Sequence, residues 1–436
     1  MLRVVTEKQF AYDLIDYIDN SPSQFHATKE VKKRLDENSF KELKFNDKWN
    51  LEKAGKYYVV KNTSAIVAFV VGQGNIEEDG FKIVGAHTDA PSFRIKPNPE
   101  IISENNYLKL NTEVYGGPIL STWFDRPLSI AGRVALKTDN PLKPKEVLVD
   151  LKKPIAIIPS LAIHMNRKVN EGVSINPQKD TLPILTTIRE EFEKDNYLMS
   201  IIADSIGINL DDIIEHDLFL YSIEKGSLIG ENEEFISIGK LDNLAMVHAG
   251  LKGILDSKGG RPTNVLACFD NEEVGSSTKQ GAASPMLRSI LERIAISLGK
   301  NKEDFYRSLS NSFIISADQA HALHPNYTDK SDPTNKPIIN KGPAIKIAAN
   351  QAYTSDSMSI AVYESICKSE NIPVQRFVNR SDEKGGSTIG PISSTQLDIS
   401  SVDIGNPILG MHSIKELGGV RDHFNIYRSF KKFYEL

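Results

Sequence analysis

Four short apolar runs in this chain each end at acidic or histidine side chains. They cover residues 81–86, 264–269, 312–317 and 407–411. Short apolar runs bounded by polar signals are typical of fully buried strands in a parallel sheet. The polar side chains that follow these runs include His87, Glu272, Glu273, Asp318 and His412. Ligands of open α/β sheets bind just beyond the carboxyl ends of the strands, so the pattern predicts one polar site gathered from distant segments.

The surrounding pattern predicts an α/β domain with an insertion. Apolar residues recur at helical spacing and predict helices at 6–20, 27–37, 243–256, 285–299, 356–369 and 421–434. Further strands are predicted at 56–61, 64–71 and 373–378. Between 92 and 230, alternating apolar and polar residues with Gly and Pro turns favour antiparallel β structure. We therefore predict a discontinuous α/β domain at 1–91 and 231–436, interrupted by a β-rich domain at 92–230.

Length, net charge and cysteine count exclude several classes of protein and of binding partner. A chain of 436 residues exceeds the usual size of one hydrophobic core, which agrees with two domains. The net charge of −5 argues against a nucleic-acid partner, and no apolar run approaches the length of a membrane span. Cys268 and Cys367 fall within predicted elements, and two cysteines are too few for a disulfide framework. We expect a cytoplasmic protein without a membrane partner.

The residues that follow the apolar runs favour a metal site. His87 suits one metal ion, and Asp89 can accept a hydrogen bond from the other ring nitrogen of that histidine. Adjacent carboxylates at Glu272 and Glu273 repel each other, and a cation would offset that repulsion. One glutamate can then bind metal while the other acts as a general base. Taken singly, a His-x-Asp turn or a Glu-Glu pair is more often a solvated strand end.

Asp242, Asp318 and His412 extend the candidate set. Asp242 immediately precedes a helical pattern, and its simplest role is that of a helix N-cap. Asp318 and His412 have similarly simple alternatives, namely a solvated strand end and a buried core histidine. Coincidence at five such positions is improbable, so together they predict a two-metal site. Imidazole nitrogen and carboxylate oxygen are ligands that zinc accepts in hydrolytic centres.

Several long strings resemble the aspartyl aminopeptidase family of dinuclear-zinc metalloaminopeptidases, and the resemblance runs nearly end to end. The matching strings are Asp-Asn-Ser-Pro-Ser-Gln-Phe-His-Ala (19–27), Ala-His-Thr-Asp (86–89), Leu-Ala-Ile-His (161–164), Leu-Asp-Asn (241–243), Asn-Glu-Glu-Val-Gly-Ser (271–276), Ser-Ala-Asp-Gln-Ala-His-Ala-Leu-His-Pro-Asn-Tyr (316–327), Gly-Gly-Ser-Thr-Ile-Gly-Pro-Ile (385–392) and Gly-Met-His-Ser (410–413).

The resemblance implies a role for each site residue and two Zn²⁺ ions per subunit, with Co²⁺ or Mn²⁺ as possible substitutes. Asp242 would bridge the two ions, followed by a cis peptide bond. The coordination would be completed by His87 and Glu273, and by Asp318 and His412. Glu272 would be the base that takes a proton from the metal-activated water. Asp89 would orient His87.

The resemblance also implies an architecture and an assembly. The peptidase domain would be a three-layer α/β/α structure, and the β-rich insertion would serve as a dimerisation and lid domain. Subunits would form a homododecamer built from dimers. His164 would reach the active site of a neighbouring subunit, whereas on the residues alone its simplest role is that of a satisfied core histidine.

One position departs from the family pattern. Aspartyl-specific relatives place a lysine after the Gly-Pro-x-Ile-Lys string to bind the acidic side chain of the substrate. This chain has Asn350 at that position, with Tyr353 as a second candidate pocket residue, and Lys346 and Arg376 as other nearby cations. We therefore expect a metalloaminopeptidase that cleaves neutral or varied N-terminal residues from peptides.

Three alternatives remain open at the level of sequence. The enzyme is a strict aspartyl or glutamyl aminopeptidase if another cation serves the pocket. A carboxypeptidase or deacylase can use the same centre, with a pocket that recognises a carboxylate instead of an amine. A non-catalytic, self-assembling scaffold is the alternative from a different class. It is disfavoured because Glu272 and all five proposed metal ligands are present.

Overall fold

The polypeptide is divided into two units in a computed structural model that describes residues 6–188, 196–383 and 385–436. The first unit comprises Met1–Asp89, Gly226–Met411 and Glu416–Leu436. The second comprises Ala90–Lys225 and His412–Lys415. The chain therefore leaves the first unit just after the predicted site residue Asp89, and again at His412.

Helices and strands alternate through most of the first unit and strands dominate the second. Among the described residues, the α-helices are α1 (Glu7–Asp19), α2 (Gln24–Glu37), α3 (Ile76–Asp79), α4 (Pro177–Asp180), α5 (Tyr197–Ile206), α6 (Leu241–Asp256), α7 (Met286–Ser297), α8 (Lys302–Ser310), α9 (Ser357–Ser369), α10 (Ile389–Leu397) and α11 (Val420–Tyr434). The strands are β1 (Lys41–Glu42), β2 (Lys56–Lys61), β3 (Ala65–Val70), β4 (Phe81–His87), β5 (Ser92–Ser103), β6 (Tyr107–Tyr115), β7 (Leu128–Leu136), β8 (Lys145–Asp150), β9 (Ile184–Thr187), β10 (Ile213–Ser222), β11 (Ser227–Ile229), β12 (Phe235–Ile238), β13 (Thr263–Phe269), β14 (Phe313–Ala317), β15 (Ala320–His321), β16 (Ala344–Ile347), β17 (Gln375–Val378), β18 (Ser400–Gly405), β19 (Pro407–Ile408) and β20 (Glu416–Gly419).

A nine-stranded mixed sheet organises the first unit. Its strand order is β1-β2-β3-β13-β4-β14-β18-β16-β17. The central strands β13, β4, β14 and β18 are mutually parallel, whereas β3 joins β13 and β16 joins β18 in antiparallel fashion. Parallel neighbours end at the same edge of a sheet, so the residues after β13, β4 and β14 are brought together.

Both faces of this sheet are covered by helices. Along β13, Leu266 and Cys268 belong to one hydrophobic core, while Val265, Ala267 and Phe269 belong to the other. The first core contains residues of α1, α2, α6, α9 and α11, and the second contains residues of α7, α8 and α10. A strand buried on both faces has no polar alternation, which explains the continuous apolar runs in the sequence. The result is the α/β fold that the sequence predicts, in three layers.

The second unit is built on a six-stranded sheet. The strand order is β8-β7-β10-β5-β6-β9, and each pairing in it is antiparallel. Its core contains Phe93, Trp123, Ile130 and Leu218, together with residues of helix α5. The antiparallel β structure expected within 92–230 is confirmed. The dimerisation role expected for this segment stays a prediction.

One predicted strand is wrong. The run at 407–411 was expected to enter the main sheet, but only Pro407 and Ile408 are in a strand, and β19 pairs with β15 in a separate two-stranded sheet. The main sheet instead contains β18, whose buried Ser401 and Asp403 interrupt the apolar pattern. Hydrogen bonds explain their burial, since Asp403 accepts from the Thr388 hydroxyl at 2.7 Å and from the Thr354 amide at 2.7 Å.

None of the helices in the described part of the chain combines the length and the apolar character needed to cross a membrane.

Candidate metal centre

The candidate site lies at the carboxyl ends of three adjacent parallel strands. His87 is the last residue of β4 and is in register with Phe269 at the end of β13. Asp270 follows directly and leads to Glu272 and Glu273, while Asp318 follows the last residue of β14. This topology brings together side chains that are more than 200 residues apart in sequence.

His87 is enclosed by carboxylates. Its side chain is only 1% exposed. Nε2 lies 3.4 Å from Oδ1 of Asp242, 3.7 Å from Oδ1 of Asp318 and 3.9 Å from Oε2 of Glu272. Nδ1 lies 3.1 Å from the backbone oxygen of Asp89 and 3.3 Å from its Oδ1. Asp89 therefore contacts one ring nitrogen, and the other faces the acidic cluster.

Asp89 also fixes the turn that carries the two glutamates. Its Oδ1 accepts a hydrogen bond from the backbone amide of Glu272 at 3.1 Å, and its Oδ2 accepts one from that of Glu273 at 3.2 Å. The turn starts at Asn271, which has φ of 62° in the left-handed region. The side-chain oxygen of Asn271 accepts hydrogen bonds from Thr278 and Gln280. These contacts stabilise a local conformation that few side chains adopt.

Asp242 is not a helix N-cap. The N-cap position of α6 is Lys240, and Asp242 lies in the first turn with non-helical ψ of 103°. The peptide bond between Asp242 and Asn243 is cis, as the resemblance implies. The amide of Asp242 donates to Oε2 of Glu416 at 3.0 Å, and the amide group of Asn243 donates to the carbonyl of Ala317 at 2.9 Å. The side chain of Asp242 is thereby directed to His87.

Lys240 anchors the segment before Asp242. It has φ of 61°, and its Nζ donates to the carbonyls of Ser21 and Pro22 at 2.9 Å and 2.8 Å. These carbonyls belong to the Asp-Asn-Ser-Pro string near the start of the chain. The string therefore has a structural role next to the site, which its sequence alone does not reveal.

The electrostatics of the cluster call for a cation. Burial, with added repulsion from Asp318, Asp242 and Asp89, raises the pKa of Glu272 to about 8, although His87 opposes the shift. Burial likewise raises the pKa of Glu273 well above its usual range. Burial alone would lower the pKa of His87, but hydrogen bonds to Asp242, Asp318 and Asp89 raise it instead. Without a cation, Glu272 and Glu273 favour their protonated forms.

The donor atoms fit a metal. His87, Asp242 and Asp318 each offer a ligand atom, and these atoms all lie within 4.8 Å of one another; the same holds for His87, Glu272 and Glu273. One imidazole and several carboxylates form a donor set that zinc accepts. Both glutamates lie near His87, so the division of roles between them belongs to the proposal below.

Two predicted site residues lie in the second unit. The ring of His412 is held through Nδ1, which is 3.0 Å from the carbonyl oxygen of Gly117, and its backbone has φ of 67°. His164 is exposed on an irregular segment that begins after β8. The alternative prediction that His164 is a satisfied core histidine is therefore wrong. The roles of both histidines stay predictions.

The candidate pocket residues have different environments. Asn350 is exposed, and its side-chain oxygen accepts a hydrogen bond from the amide of Ala352 at 3.1 Å. Tyr353 is buried, and its ring lies 5.4 Å from Nζ of Lys346. Lys346 is itself buried, and its Nζ is 3.4 Å from Oδ2 of Asp318. Arg376, the other cation noted in the sequence, forms an ion pair with Glu364.

Sequence reasoning missed Glu416 and Lys240 as supports of the site, and it named Lys346 only as a possible cation of the substrate pocket. Glu416 and Lys240 contact the segment around Asp242 but follow no motif that distinguishes them from surface residues. Lys346 offered a clearer signal, because it interrupts the apolar string Ala-Ile-Lys-Ile of a buried strand. A buried lysine requires a partner, and such a pattern indicates an acidic neighbour without identifying it.

A buried set of imidazole and carboxylate donors at the carboxyl edge of a three-layer α/β sheet is the arrangement of a metal-dependent hydrolase. The model of the Aminopeptidase I zinc metalloprotease (M18) family matches residues 17–434, and the chain belongs to this family. It is 61% identical over 428 residues to "Probable M18 family aminopeptidase 2" of Clostridium novyi (strain NT), covering 98% of this chain and 99% of that relative. The chain is thus an aminopeptidase of a zinc metalloprotease family, and the family resemblance found in its sequence is confirmed.

Solved structures share the fold. A chain in the cryo-EM structure of the Ape4 and Nbr1 complex superimposes with a TM-score of 0.94 at 34% identity, covering 99% of this chain and 86% of that chain. A chain in the structure of the S. cerevisiae mApe1 dodecamer gives a TM-score of 0.84 at 27% identity, covering 97% of this chain and 96% of that chain.

Proposed function

We propose that this aminopeptidase removes the first residue of peptides with a water activated by two zinc ions. The observation that carries the proposal is the buried group of His87, Asp242 and Asp318, whose ligand atoms all lie within 4.8 Å of one another. His87 and Asp318 lie at the carboxyl ends of parallel strands, which is where open α/β sheets bind their ligands. Cobalt or manganese can replace zinc in such a donor set.

We assign the ligands in two groups that share Asp242. His87 and Asp318 lie with Asp242 and would hold one ion. Glu273 and His412 would hold the other, and the ligand atom of His412 would be Nε2, since Nδ1 contacts the carbonyl oxygen of Gly117. This assignment differs from the pairing of His87 with Glu273 that the resemblance implied. The 3.7 Å separation of His87 Nε2 and Asp318 Oδ1 supports placing these two residues on the same ion.

Glu272 is the proposed general base. When bound, zinc lowers the pKa of a coordinated water and polarises the carbonyl of the scissile bond. Glu272 takes the proton of the attacking water and then delivers it to the nitrogen of the leaving amine. Its backbone amide is fixed by Asp89, so the carboxylate is held beside the cluster instead of moving with a loose loop. Its pKa, which burial raises to about 8 before any metal binds, would fall on metal binding.

A substrate panel tests this function. We expect release of the first residue from peptides with a free amino group, including C-amidated peptides, and no release from N-acetylated ones. Dialysis against a chelator should abolish release and Zn²⁺ should restore it. Cleavage of N-acetylated peptides that is lost on C-amidation would instead identify a carboxypeptidase, and activity indifferent to the chelator would contradict the metal mechanism.

We propose neutral or broad specificity at the first residue, with Tyr353 as a further pocket residue. A substrate carboxylate in a partly buried pocket needs a cation, and Asn350 offers none. Lys346 and Arg376 are already paired with Asp318 and Glu364. Asn350→Lys should therefore shift the ratio of kcat/KM for Asp over Ala substrates upward by roughly ten-fold. Wild-type cleavage confined to Asp and Glu would contradict this specificity and support a strict aspartyl or glutamyl enzyme.

We further propose that the chain forms a homododecamer from dimers and works in the cytoplasm. The assembly is supported by the 27% identity to the S. cerevisiae mApe1 dodecamer. His164 would complete a neighbour's active site, and its exposure in the second unit suits that role. The two cysteines support a reducing compartment, because both are buried free thiols.

A further inference from the structure

Lys346 is a buried cation that the proposed mechanism does not use. It lies in β16, and its side chain is 4% exposed. Ala344 lies two residues before Lys346 in the same strand, and it belongs to a small apolar cluster with Ala320, Tyr353 and Phe377. A lysine enclosed in this way is strongly disfavoured unless a partner stabilises its charge.

The partner is one of the proposed metal ligands. Nζ of Lys346 lies 3.4 Å from Oδ2 of Asp318, while Oδ1 of Asp318 lies 3.7 Å from Nε2 of His87. The two oxygens of one carboxylate are therefore divided between an ammonium group and the metal-binding cluster. The nearby carboxylate of Asp403 is satisfied separately by Thr388 and Thr354.

The burial of Lys346 argues against a direct role in substrate recognition. A lysine that binds a substrate carboxylate must present Nζ to the pocket, whereas this group contacts Asp318 and lies over the ring of Tyr353. Its position instead matches the outer groups that orient metal-ligating side chains in many metalloproteins.

We infer that Lys346 is a positioning residue of the metal centre: its ammonium group holds Oδ2 of Asp318, so that Oδ1 is presented to the metal. The inference rests on the proposed function, because it assumes that Asp318 is a metal ligand. Lys346 also reduces the repulsion among Asp242, Glu272, Glu273 and Asp318, which would otherwise oppose their gathering in one site.

The test compares Lys346→Met with Lys82→Met in the full-length protein. Lys82 is a suitable control because it lies in the same sheet, at the amino end of β4, and its Nζ is also buried, without a hydrogen-bond partner among the described residues. For each protein we would measure the dissociation constant of Zn²⁺ by chelator competition. The absorption spectrum of the Co²⁺ form and the unfolding temperature of the metal-free form complete the comparison.

Lys346→Met should weaken Zn²⁺ binding about ten-fold or more. The Co²⁺ spectrum should change, since the geometry of Asp318 changes. Lys82→Met should leave both properties as in the wild type. If Lys346→Met does not fold, Lys346→Gln carries the same expectation, because its shorter, neutral side chain cannot place a donor where Nζ holds Oδ2 of Asp318.

Wild-type Zn²⁺ affinity and an unchanged Co²⁺ spectrum in the Lys346 variant would overturn the inference, even if the metal-free protein melts at a lower temperature. A wild-type protein that binds no metal would overturn the proposed function itself. The two failures are therefore distinguishable.

Discussion

At the scale of single residues, Asp89 contacts both a histidine and the turn that carries the two glutamates. Its carboxylate contacts Nδ1 of His87 and accepts the backbone amides of both Glu272 and Glu273. One side chain therefore connects the ends of β4 and β13. A carboxylate suits this position because each of its two oxygens only accepts hydrogen bonds.

Asp89→Asn should disturb this arrangement although it preserves shape. One oxygen becomes an NH₂ group, which would face a donor among the amides of the glutamate turn or the His87 ring. We expect a loss of about 10- to 100-fold in zinc affinity or in kcat. The measurement is zinc titration together with steady-state kinetics, and Asp139→Asn at an exposed position is the control. Wild-type zinc affinity and kcat in Asp89→Asn would show that the site does not need the contacts of the Asp89 carboxylate.

At the scale of secondary-structure elements, the sequence revealed the strands that form the site but not all of their neighbours. β4, β13 and β14 were predictable because strands covered on both faces are continuously apolar. β18 was missed because Ser401 and Asp403 interrupt its apolar run, and their hydrogen-bond partners are distant in sequence. The pairing of Lys346 with Asp318 was unpredictable for the same reason, since a residue type indicates a need for a partner but not its identity.

The packing of α1, α6 and α11 creates a buried pair of histidines. Nδ1 of His248 lies 3.0 Å from Nε2 of His423, and Nε2 of His248 lies 2.9 Å from Asp13, which also pairs with Arg34. Burial lowers the pKa of both histidines, and His248 lowers that of His423 further. The unfolded chain therefore binds more protons than the folded one below the ordinary histidine pKa of about 6.5.

His423→Gln should reduce the loss of stability that acid causes. As the pH falls below about 6.5, the wild type loses up to about 1.4 kcal/mol per pH unit from each such histidine, and the variant lacks one of these contributions. The difference in free energy of unfolding between wild type and variant should shrink from pH 7.5 to pH 5.5. Urea unfolding of the metal-free proteins measures it, and groups at the metal centre cancel in the comparison. A difference independent of pH would contradict the account.

At the scale of the whole molecule, the chain combines an α/β unit that carries the acidic cluster with a β-rich unit that carries His164 and His412. The antiparallel β structure of the second unit was predictable from its alternating apolar and polar residues. Its proposed role in assembly came only from the family resemblance, because exposed residues such as His164 carry no periodic signal of a partner.

Mixing two inactive variants tests whether active sites are shared between subunits. His164→Ala and Glu272→Gln should each be inactive. Under exchange conditions, a mixed dimer would contain one site with an intact Glu272 and a His164 supplied by the other subunit. Partial activity should return in mixtures, with subunit exchange followed by native mass spectrometry. Mixed dimers that form without any return of activity would rule out a shared site.

The central claim is that Glu272 moves protons while its neighbour Glu273 binds metal. The most direct measurement is metal content and turnover, determined together on the same preparations of wild type, Glu272→Gln and Glu273→Gln. The account predicts that Glu272→Gln keeps wild-type metal content and loses turnover by about 10²-fold or more, whereas Glu273→Gln loses metal. Loss of metal in Glu272→Gln equal to that in Glu273→Gln would contradict it.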